Sequence, residues 1–185
     1  MARWHQAQAV QGVAYTCAFC GNQVGALMEY QRLEATDRVY ICATCQAPTV
    51  LWGGTLYPSP HFGRTVQGLP PDVAALYDEA RGCMSVPAYT GSVLLCRKIL
   101  MHVAVEAGAK AGLKFIEYVE YLSDQHYVPP NARGWVDHIR QKGNEATHEI
   151  VQMSKEEAEQ LISFTEVLLQ LMYELPQRVP GATQP

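Results

Sequence analysis

The sequence predicts a mainly α fold, a helical bundle of about five helices preceded by a small N-terminal β zinc ribbon. Three observations carry this expectation. Cys17-Ala18-Phe19-Cys20 and Cys42-Ala43-Thr44-Cys45 are two Cys-x-x-Cys pairs separated by 21 residues. From Pro71 onward, apolar residues recur at helical spacing over most of the remaining chain. Between these regions Gly and Pro punctuate a stretch without sustained period, from Gly53-Gly54 to Gly68-Leu69-Pro70-Pro71. The expected organisation is an N-terminal segment over 1–14, a zinc ribbon over 15–57, a linker over 58–70, the bundle over 71–175 and a flexible tail over 176–185.

The ribbon follows from thiolate chemistry. Two thiolates on one tight knuckle take two corners of a Zn²⁺ tetrahedron, and a second knuckle alongside supplies the other two. Cys17, Cys20, Cys42 and Cys45 are therefore the expected metal ligands, holding a structural zinc ion. Gly21-Asn22 after the first knuckle and Gln46-Ala47-Pro48 after the second suit turns that wrap a metal. Val39-Tyr40-Ile41 and Thr49-Val50-Leu51-Trp52 are rich in β-branched and aromatic residues and predict short strands. A redox dithiol, a pair of disulfides and accidental spacing are the competing readings. Cys83 and Cys96 lie outside the knuckles and are expected to be inert core thiols.

The helices are predicted in order. Pro71-Asp72 opens the first, which Val73, Leu76, Tyr77 and Ala80 carry to Gly82. A second spans about 87–107 through Val93, Leu94, Ile99, Leu100, Val103 and Ala104, and Gly108 ends it. The third covers about 113–124 with Phe115, Ile116, Val119 and Leu122. After Pro129-Pro130, a fourth helical stretch contains Trp135, Val136 and Ile139 and continues to about Ile150. Ser154-Lys155-Glu156-Glu157 is a capping box opening the fifth, which runs through Leu161, Ile162, Val167, Leu168 and Met172.

Eighteen acidic side chains against 14 Lys plus Arg leave a net charge of −4. A four-thiolate zinc centre adds two further negative charges, so whole-chain charge does not favour a polyphosphate partner. Contact with nucleic acid through the ribbon would rest on Arg32, Arg38, Tyr30 and Tyr40, beside the opposing Glu29, Glu34 and Asp37. No apolar run is long enough to span a bilayer. No membrane association is expected, and reduced cysteines suit a cytoplasmic location.

Within the bundle, Arg140, Asn144 and His148 recur at intervals of four around Gly143. An arginine fork, an amide and an imidazole can hold a phosphate and move a proton at neutral pH, and they can equally form a structural network. The segments Val73-x-x-Leu76-Tyr77-x-Glu79-Ala80, Ser92 to Leu100, and Ile139-Arg140-x-x-Gly143-Asn144-x-Ala146-x-His148-Glu149 resemble the domain of unknown function 4145. That family in turn resembles the higher eukaryotes and prokaryotes nucleotide-binding (HEPN-like) helical domains, many of which occur in bacterial conflict systems.

The resemblance implies a HEPN-like bundle in which Arg140 would bind phosphate, Asn144 would position the group and His148 would transfer a proton across a homodimer interface. Seven residues separate Arg140 from His148, a longer spacing than in the nuclease motif. Arg97 matches a further family position, with an expected role as a half-buried charge paired to a neighbouring carboxylate. The expected function is a zinc-binding helical binding or assembly module, associated with bacterial or phage defence or nucleic-acid metabolism. The alternative is a metal-independent endoribonuclease. Expected partners are a second copy of the chain, RNA or another nucleic acid, and a defence-system protein.

Overall fold

The computed structural model describes residues 4–5, 13–32, 36–129, 134–136, 139 and 152–179. The chain divides into two units, Met1–His61 and Phe62–Pro185.

The first unit is an antiparallel sheet built on one long strand. Its strands are β1 (Trp4–His5), β2 (Ala14–Thr16), β3 (Gln23–Arg32), β4 (Arg38–Cys42), β5 (Pro48–Trp52) and β6 (Thr55–Tyr57). The order is β1-β3-β4-β5-β6, with β2 also paired to β3. Ten-residue β3 takes β2 at its start (Thr16↔Gln23) and β1 at its end (Trp4↔Arg32). It pairs with β4 from Ala26↔Cys42 to Gln31↔Arg38, with a bulge between Ala26 and Met28. The inward positions hold Tyr15, Val24, Tyr40 and Cys42, which with Cys17 form the unit's small core. The Tyr15 and Tyr40 rings stack with centroids 5.6 Å apart.

This sheet overturns the expectation of a mainly α helical bundle carrying a small ribbon. Among the described residues, the N-terminal part is an antiparallel half-barrel whose main path has five strands, with β2 paired beside it on β3. The physical reason lies in β3. Its residues Ala26, Leu27, Met28, Glu29, Gln31 and Arg32 are intrinsically good helix formers, and both Leu27 and Met28 are exposed, so no period-two signal marks it. Pairing with β1, β2 and β4 overrides that local preference.

In the second unit, helices α1 (Pro71–Met84), α2 (Tyr89–Glu106), α3 (Phe115–Asp124) and α4 (Lys155–Leu169) surround one apolar core. Residues 134–136 are also helical, and Trp135 meets Phe164 of α4 edge to face at 5.7 Å. Helix α2 is central, burying Val93, Cys96, Ile99, Leu100, Val103 and Ala104. Helix α4 runs on through a π-helical turn, Gln170–Glu174, into the short α5 (Leu175–Gln177).

The capping box at α4 is present: Ser154 Oγ accepts from Glu157 N at 3.2 Å, and Ser154 N donates to Glu157 Oε2 at 2.9 Å. Ser154→Ala is expected to lower stability by about 1 kcal/mol, read from a denaturant melt.

Residues 62–68 form a strap on the helices of this unit. Arg81, only 8% exposed, donates to Phe62 O and Gly63 O at 3.1 Å each and to Thr65 Oγ1 at 3.4 Å. The Tyr77 hydroxyl donates to Arg64 O at 3.2 Å. From the other side, Glu166 accepts from Arg64 N at 2.8 Å and Glu174 from Gln67 N at 3.0 Å. Both carbonyls and amides of an irregular segment are thereby satisfied by side chains.

Candidate metal centre

Two turns of the sheet carry the cysteines, and their backbones repeat. In the first, between β2 and β3, Cys17 N donates to Asn22 O at 3.0 Å and Gly21 N to Cys17 O at 2.9 Å. In the second, between β4 and β5, Cys42 N donates to Ala47 O and Gln46 N to Cys42 O, both at 3.0 Å. The fifth residue of each turn is left-handed, Gly21 at φ 70° and Gln46 at φ 61°.

A non-glycine residue in this region carries a steric penalty of roughly 1–2 kcal/mol. Gln46→Gly is therefore expected to stabilise the metal-loaded protein by about 0.5–1 kcal/mol, after the flexibility of glycine in the unfolded chain is subtracted. Gly21→Ala is expected to cost about 1 kcal/mol. No heavy atom lies within 4 Å of its added Cβ, so that cost is purely backbone. Thermal melts of the two variants should move in opposite directions.

Side-chain geometry closes the site. All four Sγ atoms lie within 4.8 Å of one another. Two approaches cross between the knuckles, Cys17 to Cys45 at 3.6 Å and Cys20 to Cys42 at 3.8 Å. A tetrahedron of thiolates at about 2.3 Å from a central zinc has edges of about 3.8 Å, so the spacing fits a single ion. It is far from the roughly 2.05 Å of a disulfide, and all four are free cysteines. Cys17 and Cys42 are fully buried, Cys20 is half-buried and Cys45 is exposed.

Electrostatics favour a cation at the centre. The Cys42 thiol is pulled down to about 6, chiefly by the Cys45 amide, with burial opposing and the Thr44 amide assisting. These N–H groups stand 3.5 and 3.3 Å from its sulfur. Cys45 is pushed up to about 12: the amide at Ala47 lowers it, but burial and the neighbouring sulfurs outweigh that donor. Cys42 and Cys45 are thus pushed in opposite directions, and a divalent ion at the centre would remove that conflict by holding the sulfurs as thiolates.

Among the described residues, these four cysteines are the only group of three or more potential ligands brought together. Arg140, Asn144 and His148 lie outside the described residues. Arg97 is half-buried, with its guanidinium 4.5 Å above the Phe115 ring, and burial lowers its pKa. Its described contact is thus a cation–π stack on α3. Arg38 of the sheet is tied to Glu29 at 2.9 Å, which uses one of the two cations the ribbon offered for a phosphate. Sequence reasoning missed Arg81, Glu166 and Glu174. Only the flanking glycines hinted at their strap, with Gly63 and Gly68 both at φ 73°.

Sheet and site together define a class: a two-unit protein in which a β half-barrel carries a four-cysteine cluster that could hold a metal ion, and a helical unit follows in sequence. Residues 78–183, more than half of the chain, match the family described as Domain of unknown function (DUF4145), and the chain belongs to that family. No curated protein and no solved structure matches it.

Proposed function

We propose that this chain is a zinc-held binding and assembly module, with Zn²⁺ bound by Cys17, Cys20, Cys42 and Cys45 in a structural role. The observation that carries the reading is the closed set of four sulfurs within 4.8 Å. Soft thiolates in tetrahedral array select zinc over hard divalent ions. Four protein ligands leave no position for a water or substrate, so such a centre contributes folding energy and performs no hydrolysis. What remains for function is surface. Two units on one chain, one of them metal-braced, suit a protein that joins partners, and a homodimer in a bacterial or phage defence setting is part of the same proposal. No helix among the described residues is long and apolar enough to cross a membrane.

Metal analysis of the purified protein should find one zinc per chain, and cobalt substitution should give the charge-transfer bands of thiolate ligation. Light scattering is expected to report a dimer. RNA incubated without metal should remain intact with both the wild type and His148→Ala. Cleavage by the wild type that His148→Ala abolishes would replace this reading with an endoribonuclease.

A further inference from the structure

We propose that Cys45 is a peroxide-reactive site, and that its oxidation yields a Cys17–Cys45 disulfide with release of the zinc ion. The inference rests on the zinc reading above and goes beyond it, because it assigns different roles to the four ligands. Their burial is unequal. Cys17 and Cys42 are sealed in the core, whereas Cys45 is exposed and lies in a turn whose residues 43–46 are all exposed. Of the four cysteines, Cys45 is the residue an oxidant from solvent reaches most readily, and a zinc-held thiolate keeps the electron pair needed for attack.

The resolving sulfur is already in place. Cys17 Sγ lies 3.6 Å from Cys45 Sγ. In the first step the Cys45 thiolate attacks one oxygen of hydrogen peroxide, giving Cys45 sulfenic acid and hydroxide. In the second, the Cys17 thiolate attacks the Cys45 sulfur and expels a second hydroxide as the disulfide forms. Two thiolates lose two electrons, the peroxide gains them, and solvent protonates both hydroxides to water. The zinc ion stays divalent and is left with Cys20 and Cys42 alone, which cannot retain it.

The remaining thiols do not compete. Cys96 is sealed in the helical core and Cys83 is half-buried, so neither is open to solvent as Cys45 is.

The test uses the full chain loaded with zinc, its metal content measured beforehand. Hydrogen peroxide is added below one equivalent with a sulfenic-acid trap in one aliquot and a chromogenic zinc chelator in another. The trap should mark Cys45, peptide mapping of an untrapped sample should recover a Cys17–Cys45 linkage, and one zinc should appear per disulfide. Dithiothreitol with added zinc should restore the starting state. In a zinc-loaded Cys45→Ser variant, release should slow by at least about tenfold. If that variant does not load metal, the wild-type mapping decides alone.

A linkage within one knuckle, first trapping at another cysteine, or zinc retained after thiol loss would each overturn the proposal while leaving the structural zinc intact. Protein that carries no zinc and takes none up would instead overturn the zinc reading, and this inference with it.

Discussion

Removing the proposed zinc ion with a strong chelator should unfold the β unit and leave the helical unit folded. Hydrogen exchange is the measurement: amides of β2 to β6 should lose protection together, while those of α1, α2 and α4 keep theirs. The expected effect is large because the core of the first unit is small. Its buried members are Tyr15, Val24 and Tyr40 together with two of the cysteines. Three side chains of that size bury enough apolar area for only several kcal/mol, well below the cost of ordering some forty residues. A structural zinc supplies about 10–16 kcal/mol at neutral pH, and that term decides whether the sheet exists. Cys42→Ser should act like the chelator, since it removes a fully buried ligand. Retained strand protection in metal-free protein would show that the sheet holds without the ion.

Arg81→Ala should lower the stability of the helical unit by about 3 kcal/mol. The side chain is almost fully buried and serves the strap through Nε and both terminal nitrogens. Truncation leaves the carbonyls of Phe62 and Gly63, both in half-buried residues, without their charged donor, and each orphaned acceptor carries a penalty of up to about 1–3 kcal/mol. Arg81→Lys should recover little, because a single ammonium cannot reproduce the planar fork. The ion pair with Asp78 at 3.1 Å contributes little of the effect, since Asp78 is largely exposed.

Gly63→Ala tests the same strap from its other side. It would place a Cβ 2.7 Å from Glu166 Oε2 in a left-handed backbone, so it should also destabilise the unit. Denaturant melts of these variants beside Lys155→Ala, half of a solvent-facing i,i+4 pair with Glu159 and expected within about 0.5 kcal/mol of wild type, separate the strap from ordinary surface charge. A stable Arg81→Ala protein would mean that the strap is not part of the cooperative unit.

Much of the candidate site was legible because its chemistry is local. A Cys-x-x-Cys knuckle needs only a few residues, and Gly21 and Pro48 sit where the turn requires them. The same holds for the α4 cap, where Ser154 and Glu157 exchange hydrogen bonds three residues apart. The sheet was illegible for the opposite reason. Nothing within β3 announces a strand, and its conformation is chosen by partners up to 28 residues away, Trp4 paired with Arg32 at one end and Cys42 with Ala26 at the other. The strap was missed likewise, since Glu166 lies 102 residues from the Arg64 amide it holds.

By itself, the sequence picked out the four cysteines that the fold brings together, the capped start of α4 and the family, all of which rest on residue types at short fixed spacing. Only the tertiary structure decided that the N-terminal unit is a half-barrel, that residues 62–68 are bound down through Arg81, and that Cys45 is the most exposed of the four cysteines. Those outcomes depend on long-range pairing and on burial, which no local pattern encodes.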